Sequence, residues 1–151
     1  MLEKMIMKYY DEIFCYCYHH LGNREAAEDI CQDTFVSFIE HEAAYHSRGK
    51  LKNYLYTIAR NKCIDYFKKA TPIFMDQIPD QGQEGFEGEV EMRQLVASLP
   101  EEYRQVIILR FFQDLKFRDI ADILGTNTSN VKYKVKKALE MMESEVAKSE
   151  K

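Results

Sequence analysis

The chain has 151 residues, 46% of them hydrophobic, and a formal net charge of −4. A length of this order carries one core or two small ones. It holds no apolar run long enough to cross a membrane, and its opening stretch MLEKMIMKYYDE is charged throughout, unlike a signal peptide. A cytoplasmic protein is expected, with Cys15, Cys17, Cys31 and Cys63 reduced rather than paired.

In chain order, Leu2, Ile6, Tyr9, Tyr10, Ile13, Phe14, Cys17 and Leu21 keep a helical period until Gly22 stops it. Asn23 is placed to cap a second helix, with Ala27, Ile30, Cys31, Thr34, Phe35 and Phe38 as its apolar stripe. On that helix Glu25, Asp29, Gln32 and Asp33 form a polar ridge off the stripe, suited to a basic helical partner. A polar loop from His46 to Lys50, containing Arg48 and Gly49, leads to a third helix from about Leu51 to Lys69. Leu51, Tyr54, Leu55, Ile58, Ala59, Cys63 and Tyr66 make its inner face, while Asn53, Thr57, Arg60, Asn61 and Lys68 fall on the opposite arc.

Residues 71–93 break the pattern. They contain Pro72, Pro79, Gly82, Gly85 and Gly88, and hold six acids against one arginine. They read as an acidic linker between residues 1–70 and 94–151. The whole charge imbalance lies there: residues 1–70 are net 0 and residues 94–151 net +1. Beyond the linker, Pro100 suits a first helical position, with Glu101 and Glu102 complementing the helix dipole. VIILRFF, residues 106–112, is too apolar for a single stripe and reads as a helix buried on most sides. No alternating run is long enough for a strand, so the expected fold is all-α, two small helical domains on a tether.

The run FRDIADILGTNTSNVKYKVKKALEMM reads as helix, turn, helix. Ala121 permits a close crossing, Gly125 the turn, and Val131 packs the second helix on the first, with Ile120, Leu124 and Val135 as further core. That spacing fits a DNA-binding helix-turn-helix. Asn127 or Thr128 can cap the second helix. Val131, Val135, Ala138, Leu139 and Met142 are expected to face inward. Thr128, Ser129, Asn130, Lys132, Tyr133, Lys134, Lys136 and Lys137 remain for the ligand, with base edges met early in the helix and phosphates further along.

A second basic patch lies at residues 48–69, with seven basic residues against Asp65 alone. Aromatics interleave with the charges there, as on surfaces that stack unpaired bases and track a single strand. Tyr54, Tyr56, Tyr66 and Phe67 serve either that platform or the core. Lys62 and Asp65 lie near the inner face and can pair with each other or with a neighbour.

AAEDICQDTFVSFIE, YLYTIARNKCIDYFKK, SLPEEYRQVIILRFFQDLKFRDIADILG and NVKYKVKKAL resemble, in order, the four signature blocks of the extracytoplasmic-function sigma factors of the sigma-70 family. The resemblance runs over residues 5–143. It implies a σ2-like domain over 1–70 and a σ4-like domain over 94–151. It further implies a subunit that binds core RNA polymerase and directs it to promoter DNA. Glu28, Asp29, Gln32, Asp33 and Phe35 match the block that meets the clamp helices of the polymerase's largest subunit, and the flap of the second largest subunit is a further implied partner.

His46, Arg48, Lys50, Asn53, Tyr54, Tyr56, Thr57, Arg60 and Asn61 match the part that opens the −10 element and holds its non-template strand, with the loop taking a captured base. Many relatives carry Trp where this chain has Tyr54. The recognition helix, Thr128 to Lys137, is implied to read the −35 element. Lysine stands at 134 and 137 where relatives often have arginine, which favours phosphate contact over bidentate guanine reading. The acidic linker would pass through the polymerase's RNA path. An anti-sigma factor covering both domains is a further implied partner.

Two other readings compete with this one. A stand-alone helix-turn-helix transcription regulator would need a dimerising helix or ligand domain, and neither is evident. A metal or redox sensor is suggested by Cys15, Cys17, His19, His20 and Cys31, but no zinc-type spacing occurs, and small core thiols are the simpler account. No metal or cofactor is expected. No phosphate-cradling glycine loop, nucleophile elbow or HExxH motif occurs, so an enzyme is not expected either.

Overall fold

The computed structural model describes residues 2–41, 50–69 and 87–149, all helical apart from short connections. The helices are α1 (Leu2–Leu21), α2 (Arg24–Glu40), α3 (Leu51–Lys69), α4 (Glu87–Ala97), α5 (Glu101–Ile107), α6 (Phe117–Leu124) and α7 (Thr128–Ser149), with a wide-turn segment, Ile108–Phe112, continuing α5. The chain divides into two compact units, Met1–Ile78 and Pro79–Lys151. The expected linker at residues 71–93 is shorter at its far end than its composition suggests, because α4 begins at Glu87. Residues 71–86 lie outside the described residues.

In the first unit α1, α2 and α3 each pack on the other two. Gly22 has φ 74, a left-handed conformation that ends α1 without the strain a side chain would meet there. The next residue, Asn23, caps α2: its Oδ1 accepts from the Ala26 N–H at 2.9 Å. The core holds Ile13, Tyr16, Cys17 and Leu21 of α1, Ala27, Cys31, Phe35 and Phe38 of α2, and Leu55, Tyr56, Ala59 and Cys63 of α3. Tyr16 and Tyr56 meet edge-on with ring centroids 5.3 Å apart, and Tyr10 stacks on Phe35 at 5.7 Å.

Three buried thiols join this core from three helices. Cys31 donates to the Tyr10 carbonyl, and a thiol–thiol hydrogen bond to Cys63, together with burial, pushes Cys17 far above the usual thiol range. Burial and the nearby Cys17 push Cys31 up to about 12. Cys15 alone is exposed. Among the described residues no group of three or more His, Cys, Asp or Glu is placed to hold a metal ion.

The second unit packs α5 and α6 against α7, with α4 against α5 and α7. Pro100 stands one position ahead of the helix it was expected to open, extended at ψ 153, with α5 starting at Glu101. Arg104 ties the corner: it donates to the carbonyls of Leu99 at 3.2 Å and Ala97 at 3.4 Å and pairs with Glu101. Val106 to Leu109 are buried as expected, but Phe111 is 52% exposed. The wide turn is the reason. The Gln113 N–H bonds back five residues to the Ile108 carbonyl, which shifts the face the chain presents. Arg110 then donates to the Leu115 carbonyl at 2.9 Å, and its guanidinium lies over the Phe117 ring, 4.1 Å from the centroid. α6 is thereby fixed to the segment before it.

Candidate functional site

The helix-turn-helix forms as its spacing predicts. α6 ends on Gly125, at φ 70 and ψ 38, and the Thr126 N–H bonds back to the Ala121 carbonyl at 2.9 Å. Ile120, Ala121 and Ile123 are buried against Val131, Val135, Ala138 and Met142 of α7. Leu139, expected inside, is 43% exposed. α5 and α6 meet α7 along one narrow seam, and Leu139 turns off it. Of the two caps considered, Asn127 acts: its Oδ1 accepts from the Asn130 N–H at 2.8 Å.

The outer face of α7 is built by that seam. Ser129, Lys132, Tyr133, Lys136 and Lys137 recur at three- and four-residue steps and all are exposed. Thr128 is exposed at the first turn. From Thr128 to Leu139 the helix has four lysines and no acid, whereas Glu140, Glu143 and Glu145 face Lys148 alone in the rest. A polyanion is attracted to the first half and repelled by the second. Lys132 also lies over Phe117, 5.7 Å from the ring centroid. Two expected readers stand off this face. Asn130 is half-buried and its Nδ2 donates to Thr126 Oγ1 at 2.9 Å; Lys134 is half-buried and its Nζ lies 3.2 Å from Glu102 of α5. Exposed Lys116 and Arg118, at the start of α6, are further basic residues that helical period alone does not mark.

On α3 the expected strand-holding set divides. Thr57 and Arg60 are half-buried; Lys50 and Asn61 are exposed. Tyr54 is half-buried, edge-on to Phe38 at 5.8 Å. Asn53 and Tyr56 do not belong to the surface: they are 3% and 0% exposed. Tyr56 turns toward α1, where its hydroxyl donates to Glu12 Oε2 at 2.7 Å. α3 packs on two helices at once, so its buried arc is wider than the single stripe the period shows, and it takes in Asn53, one turn before Tyr56. His46 and Arg48 lie outside the described residues.

On α2 the ridge stands clear of the core. Glu25, Glu28, Asp29, Gln32 and Asp33 are exposed, and Glu28 lies 4.0 Å from Arg24. Phe35, which the apolar stripe places inside and the family resemblance places with the partner block, is 4% exposed and belongs to the core against Tyr10. The ridge instead continues into exposed Val36 and Ile39, which the apolar-stripe reading had not assigned to either side. Lys62 of α3 pairs across to Asp33 at 3.0 Å rather than with Asp65.

Comparison with known proteins agrees with this layout. The family model for Sigma-70 region 2 matches residues 5–72, and that for Sigma-70, region 4 matches residues 89–142. The RNA polymerase sigma factor YlaC of Bacillus subtilis is 28% identical, over 98% of this chain and 93% of its own length. The ECF RNA polymerase sigma factor SigW of the same organism is 27% identical, over 91% and 84%. Among solved structures, the sigma factor RpoE of Bartonella quintana, in complex with the anti-sigma factor NepR, superposes with a TM-score of 0.77 at 19% identity, covering 94% of each chain. CnrH, in complex with the cytosolic domain of CnrY, gives 0.78 at 15% identity, covering 97% of this chain and 87% of that one. At such identity these two structures speak to the fold. The two matched regions, in order and over most of the chain, place the protein in the sigma-70 family, in its extracytoplasmic-function group.

Proposed function

We propose that the protein binds core RNA polymerase and directs promoter-specific initiation, with three surfaces sharing the work. The α2 ridge, Glu25 to Asp33 with Val36 and Ile39 beyond it, meets the clamp helices of the largest subunit. Lys50, Tyr54, Thr57, Arg60 and Asn61, with His46 and Arg48, hold the opened −10 strand. The outer face of α7 reads the −35 element, Thr128 and Ser129 nearest the base edges and Lys136 and Lys137 on phosphates. The observation that carries the reading is the α7 face itself: five ligand-type side chains, all exposed, on a helix held from behind by a buried seam.

The chain supplies no chemistry of its own in this account, and its place is the cytoplasm. No described helix is long and apolar enough to cross a membrane. The acidic segment at 71–86 suits a channel shaped for RNA, a polyanion. The flap of the second largest subunit and an anti-sigma factor complete the set of partners. The superposed sigma factor RpoE is bound to the anti-sigma factor NepR, and CnrH to the cytosolic domain of CnrY.

Two weak DNA contacts become a strong one when both are held on one polymerase, because the second then binds at high effective concentration. Titrating promoter duplex with the free protein, then with the protein on core polymerase, tests this. Weak binding alone and tight binding with core are expected. Nanomolar promoter binding by the free chain would favour the stand-alone regulator.

A further inference from the structure

We infer that Lys134 positions the recognition helix rather than touching DNA, and that Glu102 is its partner in doing so. The inference rests on the reading of α7 as the −35 helix. The helical register separates Lys134 from its neighbours. Ser129, Lys132, Tyr133, Lys136 and Lys137 share the outer face, whereas Asn130, Lys134 and Ala138 recur every four residues along the flank turned to the body of the domain. Burial follows that register. Asn130 and Lys134 are half-buried and Ala138 fully so, while all five outer residues are exposed.

Each polar group on the flank is engaged within the protein. Asn130 binds Thr126 in the turn, and Lys134 Nζ lies 3.2 Å from Glu102 Oε1. On α5 the two glutamates divide their tasks. Glu101 pairs with Arg104 and accepts from Gln105 Nε2 at 2.8 Å, serving its own helix, while Glu102 reaches across to α7. Val131 and Val135 are buried and fix how deeply α7 sits, and rotation about the helix axis is opposed from the flank. A turn at 126 and an ion pair at 134, on the same flank, supply two points that resist it. Lysine suits this role: a single ammonium on a long stem reaches a carboxylate on a neighbouring helix without needing the planar fork of arginine.

The test uses polymerase holoenzyme formed with full-length protein. It reads the ratio of transcription from a promoter with its −35 element intact to one with that element scrambled. A positioning residue alters this ratio, whereas a phosphate contact weakens both promoters alike. Lys134→Glu, which sets two carboxylates together, is expected to lower the ratio by roughly fivefold or more, the low end of one lost base contact. The exchange Lys134→Glu with Glu102→Lys is expected to restore it to within about twofold. Lys132→Glu and Lys137→Glu are expected to lose activity that Glu102→Lys does not return.

As a second reading, Lys134→Met leaves the salt dependence of promoter binding unchanged, while Lys136→Met or Lys137→Met reduces its slope by roughly 0.9 per phosphate contact. An exchange variant as defective as Lys134→Glu alone, or a slope that falls for Lys134→Met as for the others, overturns the assignment. If Lys132→Glu and Lys137→Glu leave transcription from the intact promoter unchanged, α7 is not the −35 helix, and the positioning role falls with that reading.

Discussion

Gly125 sets the angle between the two helices that carry the −35 face, and its replacement by alanine has a calculable effect. At φ 70 it lies in the left-handed region, and a Cβ built there meets nothing within 4 Å. The change therefore carries no steric clash, only the conformational term. A left-handed L-residue costs about 1–2 kcal/mol. Alanine returns roughly 0.4–1 kcal/mol by narrowing the unfolded ensemble. The net loss is about 1 kcal/mol, close to a fivefold change in the folded-to-open ratio. Amide hydrogen exchange resolved along the chain reads it: α6 and α7 exchange about fivefold faster in Gly125→Ala, while α1 to α3 keep their rates. Gly125→Asn, which tolerates this region, falls roughly midway. No change for alanine would mean that the turn does not need the left-handed residue. A loss of several kcal/mol would mean that the space around Gly125 is filled.

Four further outcomes follow from the first unit. Tyr56→Phe removes a hydroxyl that donates to Glu12 at 2.7 Å, and is expected to destabilise the α1–α3 bundle by about 1–2 kcal/mol in chemical denaturation; unchanged stability would contradict the buried role given to Tyr56. Lys62→Met, which breaks a pair between a half-buried lysine and an exposed Asp33, is expected to shift stability by at most about 1 kcal/mol. Asp33→Lys weakens core polymerase binding, and adding Lys62→Glu does not restore it; restoration would make Asp33 a residue of the fold rather than of the interface. Unfolded thiols ionise near pH 8.5, while native Cys17 and Cys31 stay protonated well above that. Between those limits the unfolded state binds fewer protons, so the thiols' contribution to stability is constant below about pH 8.5 and is lost as pH rises toward about 12. Cys31→Ala flattens part of that fall, and an equal fall in wild type and variant would contradict it.

Much of this arrangement is legible in the sequence because it depends on local rules. Gly22, Asn23, Gly125 and Asn127 mark helix ends by backbone freedom and capping, which neighbouring residues decide. The spacing of Ala121, Gly125 and Val131 specifies the helix-turn-helix for the same reason. The departures have other causes. The period of α3 sets Asn53 on the outer arc, but α3 packs on two other helices and its buried arc exceeds one stripe. Tyr56 and Phe35 stand on ligand and partner surfaces only by the family resemblance, and the stripe of α2 puts Phe35 in the core, where it lies. Leu139 failed in the opposite direction, because α7 meets its partners along a narrow seam. The pairs Lys62–Asp33 and Lys134–Glu102 join residues far apart in the chain, and periodicity says nothing of such contacts. The wide turn at Ile108–Phe112 had no signal beyond a run too apolar for one face, and it is what leaves Phe111 exposed.

The most direct test of the central claim is run-off transcription. The protein is mixed with core RNA polymerase and a pool of genomic promoter fragments, and the transcript starts are sequenced. The account predicts new starts that share two short upstream elements. Asp33→Lys abolishes them by removing polymerase binding, and Lys132→Glu with Lys137→Glu abolishes them by removing −35 reading. No new starts from folded protein and active core, or starts indifferent to all these changes, would contradict it.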